Sequence, residues 1–115
     1  MTSGAQEKAG DANLFDTAQK AICQKQWAQA VDSLKKLEKN FPKSDYCCES
    51  LYWLSYSMNK LGDSIDDMNS RLEQKQKAVQ NLGTLLKNYP KCVWVKDATI
   101  LRIEIAEYLI KNGLG

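Results

Sequence analysis

Four cysteines and a short acidic stretch are the side chains of this chain that could do chemistry, and no histidine accompanies them. Zinc sites need cysteines paired as C-x-x-C or histidine partners, and neither pattern occurs. Without histidine the chain also lacks the commonest general base. No nucleophile–base pair, phosphate-binding loop or acid pair at a defined spacing appears. We therefore predict that the chain is not an enzyme and has no catalytic residue, metal site or cofactor.

The cysteines leave two interpretations open. They are Cys23, Cys47, Cys48 and Cys92. Neighbouring Cys47 and Cys48 cannot readily bond each other without strain. Free buried thiols that pack as small hydrophobic groups are one interpretation. In an oxidising compartment, a disulfide from Cys47 or Cys48 to Cys92 or Cys23 is the other.

The charged stretches predict solvated helix surfaces. The acidic residues Asp63, Asp66, Asp67 and Glu73 lack the glycine and the alternating spacing of a calcium loop. A lysine run over 35–43 is interrupted by an acidic residue. The net charge of +2 indicates no nucleic-acid partner. No segment reaches the ~20 apolar residues that span a bilayer, and residues 1–12 lack the apolar core of a signal peptide, so we expect no direct membrane insertion.

An internal repeat determines the predicted architecture. Residues 41–44 recur at 89–92, and a shift of 48 positions also matches neighbouring small and apolar residues. The matched pairs are Ala30 with Ala78, Leu34 with Leu82, Leu37 with Leu85, and Asn40 with Asn88. Such a register predicts stacked helical hairpins.

The apolar spacing predicts an all-α superhelix of about five helices, made of two hairpins and a final unpaired helix. Residues 1–11 are predicted to be a flexible leader, with Asp11 or Asn13 capping a first helix at 14–24. The domain then covers 12–115. A second helix begins at Trp27, a third is capped by Asp45, and a fifth runs over about 95–111. An insert at 63–76 is predicted to extend the fourth helix after a polar turn.

A family resemblance follows from these elements. The pattern is a proline-closed helix, a small linker and an aromatic-rich helix that ends in Gly-Asp, here residues 40–46, 50–56 and 61–63. On these residues the chain resembles tetratricopeptide-repeat proteins, and in particular the bacterial envelope subgroup of the Tol-Pal accessory periplasmic protein and the outer-membrane assembly lipoproteins. The resemblance covers about 14–109. It implies a non-catalytic protein-interaction scaffold, and it favours the periplasm or cell envelope.

The resemblance also implies where a protein or peptide partner docks. In this family the first helix of each hairpin lines a concave groove. The matching positions are Phe15, Gln19, Tyr46, Glu49, Trp53, Tyr56, Trp94 and Leu101. For each aromatic side chain, simple packing against a neighbouring helix is the alternative. Some family members hold a peptide's terminal carboxylate in a clamp of lysines and asparagines, but Phe15 and Gln19 stand at the matching positions, so no clamp is expected.

The last helix is apolar almost all round, which is unusual for a helix with one exposed side. We predict that Leu101, Ile105 and Leu109 form a face that packs on a second copy or on further sequence. The alternative is a terminal helix that packs only against the fourth. A structural, self-assembling module and a helical domain appended to a larger bacterial protein are therefore the competing functions.

Overall fold

In the computed structural model, which describes residues 3–113, the chain forms five α-helices and no strand. They are α1 (Ser3–Cys23), α2 (Trp27–Asn40), α3 (Cys47–Asp63), α4 (Met68–Asn88) and α5 (Val95–Lys111). Each helix packs on the next in sequence, and α3 also contacts α5. The result is an elongated stack of 54 × 31 × 21 Å. The prediction of an all-α superhelix is confirmed.

The repeat is visible as matched burial in the two hairpins. Alanine lies at a fully buried position in each of α2 and α4, and leucine fills the buried positions one and two turns further along. All six side chains are fully buried: Ala30, Leu34, Leu37, Ala78, Leu82 and Leu85. A shift of 48 positions thus relates equivalent sites in space as well as in sequence.

Proline ends α2 and α4 in the same way. Phe41 and Tyr89 are the last residues to donate a helical hydrogen bond, from their backbone N–H to the Leu37 and Leu85 carbonyls at 2.9 and 2.8 Å. A residue before proline disfavours the helical region, so neither helix continues. The chain then turns towards α3 or α5.

The first helix begins earlier than predicted. It starts at Ser3 and not at Leu14, because 5–9 are good helix formers that outweigh the glycines on either side. Gly10 is explained by packing, since a β-carbon there would lie 2.8 Å from the Phe41 ring. Asp11 does not start the helix; its carboxylate accepts a hydrogen bond from the Ser44 hydroxyl at 2.6 Å. The division into a flexible leader at 1–11 and a domain at 12–115 stays a prediction.

The cap predicted for α3 is also wrong. Asp45 is exposed, and α3 has no side-chain cap. Ser44 takes over part of that function, because its hydroxyl accepts the Tyr46 backbone N–H at 3.1 Å.

Residues 63–76 form a short turn and an early start of α4. Asp67 caps α4 by accepting the Ser70 backbone N–H at 2.9 Å, and this bond lowers the Asp67 pKa. The site that matches Trp27 is Lys75, so α4 starts seven residues earlier in its hairpin than α2. Lys75 is buried, and its ammonium donates to the Asn59 side chain and to Asp63, each at 2.7 Å. Gly62 stays helical and allows this contact, because a β-carbon would lie 3.2 Å from the Lys75 stem.

The inner side of α5 differs from the prediction. Leu101, Ile105 and Leu109 are buried in the core shared with α3 and α4, so they form no exposed face. The exposed apolar residues of α5 are Ile100, Ile103 and Ile110, with 51%, 55% and 63% of their surface accessible. The sequence of α5 is apolar almost all round because the helix carries two apolar stripes, one that is buried and one that is exposed.

None of the described helices combines the length and the apolar character that a bilayer crossing requires.

Candidate partner-binding site

A disulfide fixes the start of α5 against α3. Cys48 and Cys92 are bonded, with Cα atoms 6.7 Å apart and a sequence separation of 44. Cys92 is the position that matches Ser44 under the shift of 48 residues. Each of the two side chains links a proline turn to a helix that precedes it, Ser44 to α1 and Cys92 to α3. The bond decides between the two interpretations of the cysteines for these two positions. It holds the backbone just before Trp94, whose N–H lies 3.5 Å from the Cys92 sulfur.

The other two cysteines are free thiols. Cys23 is exposed at the end of α1, whereas Cys47 is buried. The Cys47 thiol donates to the Phe41 carbonyl at 3.4 Å. Burial, with a smaller effect of the Glu38 carboxylate, raises the Cys47 pKa. The thiol therefore stays protonated at neutral pH and is a poor nucleophile.

Aromatic side chains join α3 to the start of α5. The Trp53 ring lies edge-on to Tyr56 and to Trp94, with centroids 5.3 and 5.6 Å apart. The Trp53 indole N–H donates to the Glu49 carboxylate at 3.3 Å, one helical turn away. Trp53, Tyr56 and Trp94 all remain half-buried. These rings pack on one another and still offer an accessible surface.

Tyr52 is a member of this group that the sequence analysis missed. It stacks on Trp94 at 4.8 Å and meets Trp53 edge-on at 5.0 Å. Burial raises the Tyr52 pKa, with smaller effects of the Asp97 and Glu104 carboxylates on α5. Its neighbour Trp53 is among the predicted groove residues, and Tyr52 is not. The stacking depends on the position of Trp94, which the helical period does not encode.

A second pair of rings joins α1 to the start of α3. Phe15 and Tyr46 stack with centroids 4.7 Å apart. Gln19 is half-buried one turn after Phe15, and Glu49 is half-buried close after Tyr46. We call the six rings together the aromatic face: Phe15, Tyr46, Tyr52, Trp53, Tyr56 and Trp94.

Of the predicted groove residues, Leu101 lies elsewhere. It is buried in the core, with 6% of its surface accessible, and offers nothing to a partner. The other seven are partly accessible on or beside α1, α3 and the start of α5. Trp27 is not among the predicted groove residues, although its ring packs against the Tyr56 ring with centroids 5.8 Å apart.

Among the side chains of residues 10–113, no three histidines, cysteines, aspartates or glutamates are grouped in a way that could hold a metal ion. The Gln19 amide and the Glu49 carboxylate lie beside the aromatic face, and with the tyrosine hydroxyls they can orient a bound chain through hydrogen bonds. The aromatic face is therefore suited to contact a partner over a large ring surface rather than to hold a metal ion.

Comparison with known proteins agrees with this geometry. Two models described as tetratricopeptide repeat match the chain, one over residues 3–66 and the other over 49–91. Searches of curated proteins and of solved structures found no significant match. Tetratricopeptide repeats generally mediate protein–protein interaction and are not generally catalytic. The first match alone spans more than half of the chain, and the chain therefore belongs to the tetratricopeptide repeat family.

Proposed function

We propose that the protein is a non-catalytic scaffold that binds a peptide or a partner domain through the aromatic face. The observation that carries the proposal is the half-burial of its rings, which come from α1, α3 and the start of α5. Rings of this kind supply large contact area at a small cost in conformational entropy. Because they already pack on one another, the surface is largely formed before a partner arrives.

Peptide selection tests this proposal. A displayed library of random peptides is selected on the folded protein, and the affinity of selected peptides is measured for Trp53→Ala and Tyr56→Ala. We expect each variant to weaken binding by about tenfold or more, as for interface aromatics that anchor a partner.

Tyr108→Ala is the matched control, because Tyr108 is half-buried on α5 beside Lys75, away from the aromatic face. It should lower stability without changing affinity. Equal affinity for all variants, with reduced stability, would show that the aromatic face serves only packing.

Self-association through α5 is the second candidate function. The exposed Ile100, Ile103 and Ile110 match Tyr52, Ser55 and Gly62 on α3. On α3, Ser55 is fully buried, and Gly62 is buried against Lys75 of α4. A further helix, for example from a second copy, would cover the isoleucines in the same way. Sedimentation over a wide concentration range tests this, with Ile103→Lys expected to abolish any dimer and a strictly monomeric protein counting against it.

A place in the bacterial cell envelope is a further part of the proposal. The resemblance in residues 40–63 motivates it, and the Cys48–Cys92 bond supports an oxidising compartment. Mass measurement after alkylation without reductant, on protein taken from its native compartment, tests the bond. Two alkylated cysteines are expected, and four would argue for a reducing compartment.

A further inference from the structure

A cleft lies where α1 turns into α2, beside the end of α3. Its volume is about 470 Å³, and its lining residues are Ile22, Lys25, Trp27, Trp53, Tyr56 and Lys60. Tyr56 packs between the two tryptophans, 5.8 Å from Trp27 and 5.3 Å from Trp53. The lining is thus mainly apolar, with one isoleucine and three aromatic residues, and it includes two lysines and no acidic residue.

The backbone of Lys25 points to a use for its side chain. Its φ is 58°, in the left-handed region that favours glycine. The conformation ends α1, because the Lys25 N–H bonds the Ile22 carbonyl at 3.0 Å and the Gln26 N–H bonds the Ala21 carbonyl at 2.8 Å. Glycine is the usual residue at such a helix end. The geometry of the turn therefore gives no reason for a lysine at this position. Lys25 is, however, one of the residues that line the cleft.

Neither lysine of the cleft is engaged by an acidic side chain. The ion pairs among the described residues join Lys20 to Asp16, Lys36 to Asp32 and Lys75 to Asp63. The Lys60 ammonium instead lies 5.5 Å from the centre of the Tyr56 ring. Two positive charges thus stand beside an accessible aromatic surface, and neither is in an ion pair with an acidic side chain that the structure describes.

We propose that this cleft binds an internal segment of a partner protein in which a large apolar side chain is flanked by aspartates or glutamates. The apolar side chain fits the aromatic lining, and the carboxylates match the charges of Lys25 and Lys60. The inference rests on the proposed function, because the cleft shares Trp53 and Tyr56 with the aromatic face. It adds the chemistry of the partner and the end of the surface at which that chemistry is recognised.

Two synthetic peptides test the charge requirement. The first has a central phenylalanine between two pairs of glutamates, and the second has glutamines in their place. Both ends are blocked, so only side-chain carboxylates are present. Tryptophan fluorescence and calorimetric titration at low salt should show the acidic peptide binding at least about fivefold tighter. The difference should shrink at high salt, because exposed charges are screened.

Single substitutions assign the effect to the two lysines. Lys25→Gln and Lys60→Gln should each weaken the acidic peptide about threefold and leave the glutamine peptide unchanged. Lys91→Gln is the matched control, since Lys91 is an exposed lysine in the α4–α5 turn, away from the cleft. It should change neither affinity.

Lys25→Gly separates the backbone from the side chain. It relieves the left-handed conformation, so the melting temperature should rise by about 2–6 °C. The same variant should lose acidic-peptide binding as Lys25→Gln does. A rise in melting temperature without a loss of affinity would overturn the inference.

The proposal and the function it rests on can fail separately. Equal affinity for the acidic and the glutamine peptide would overturn the charged cleft and leave recognition by the aromatic face intact. The same holds if neither peptide binds while library-selected peptides still bind in a way that depends on Trp53. If no selected peptide depends on Trp53 either, both proposals fall.

Discussion

The two proline turns have the same backbone design and are fastened in different ways. In the first, the Ser44 hydroxyl donates to Asp11 of α1 at 2.6 Å. In the second, the matching Cys92 is bonded covalently to Cys48 of α3. The repeat therefore fixes where a turn must be held, and the residue type at that site determines the strength of the link. Other matched positions differ in the same way, and substitutions at those positions test the comparison.

The largest expected effect is at positions that do not differ. Leu34 and Leu82 match each other and are both fully buried. Truncation of either one to alanine should cost about 2–5 kcal/mol, out of a total stability of about 5–15 kcal/mol. Urea unfolding measures both. A loss below about 1 kcal/mol for one of them would mean that the two hairpins do not share the same packing.

The second prediction makes the two turns alike. Cys92→Ser removes the disulfide and places serine at both matched positions. We expect a loss of about 2–4 kcal/mol, mainly because the unfolded chain gains freedom. Thermal unfolding with and without a dithiol reductant measures it, and reduced wild type should approach the variant. Cys23→Ser is the control, because that thiol is exposed and unbonded. An equal loss in both variants would contradict a specific role for the bond.

The third prediction concerns Ser57, which matches the buried Ile105. The Ser57 hydroxyl is buried without a hydrogen-bond partner among the described residues. Ser57→Ala should stabilise the protein by about 0.5–1.5 kcal/mol, since it removes that hydroxyl and raises helix propensity. Ser55→Ala is the control, because the Ser55 hydroxyl donates to the Leu51 carbonyl at 2.8 Å. A gain in the control and not in Ser57→Ala would contradict this reasoning.

The smallest expected effect is at Glu38, which matches Leu86 in the second hairpin. Burial raises the Glu38 pKa, and one carboxylate oxygen lacks a partner among the described residues. The folded state therefore holds this proton to a higher pH than the unfolded state, so stability falls as pH rises between the two pKa values. Glu38→Gln should remove this dependence and change stability at neutral pH by less than about 1 kcal/mol.

Melting curves between pH 4 and pH 8 measure the slope for Glu38→Gln and wild type. Asp32→Asn is a suitable control, because Asp32 is an exposed carboxylate on the same helix. An unchanged slope in Glu38→Gln would mean that burial of this carboxylate has no consequence for stability.

Sequence reasoning predicted the elements well where local signals agree. The bounds of α5 and the ends of α2 and α4 follow from proline, glycine and apolar spacing. The start of α1 was missed, because Gly4 and Gly10 are typical of a flexible segment. The packing of the distant Phe41 ring on Gly10 is not visible in the local sequence. Gly62 is helical near the end of α3, and a β-carbon there would lie 3.2 Å from the Lys75 side chain, a contact that local sequence does not reveal.

The candidate site was harder to predict, because it depends on pairs of distant residues. Helical counting assigned Tyr46, Glu49, Trp53 and Tyr56 to the candidate site; Tyr46 directly precedes α3, and the other three lie on it. It missed Tyr52 because the stacking on Trp94 requires knowledge of where the α4–α5 turn lies. It assigned Leu101 to the surface because one helix alone does not reveal which side its neighbours cover. The cleft around Lys25 was invisible for the same reason.

The Cys48–Cys92 bond also turns part of the chain into a covalent ring that contains most of α3 and all of α4. A protease that cuts the exposed connection at 66–67 leaves two fragments that remain joined by the disulfide. The pieces separate on a denaturing gel only when reductant is added. In an environment rich in proteases, a single cut in this connection would therefore not release α4 and α5 from the rest of the scaffold.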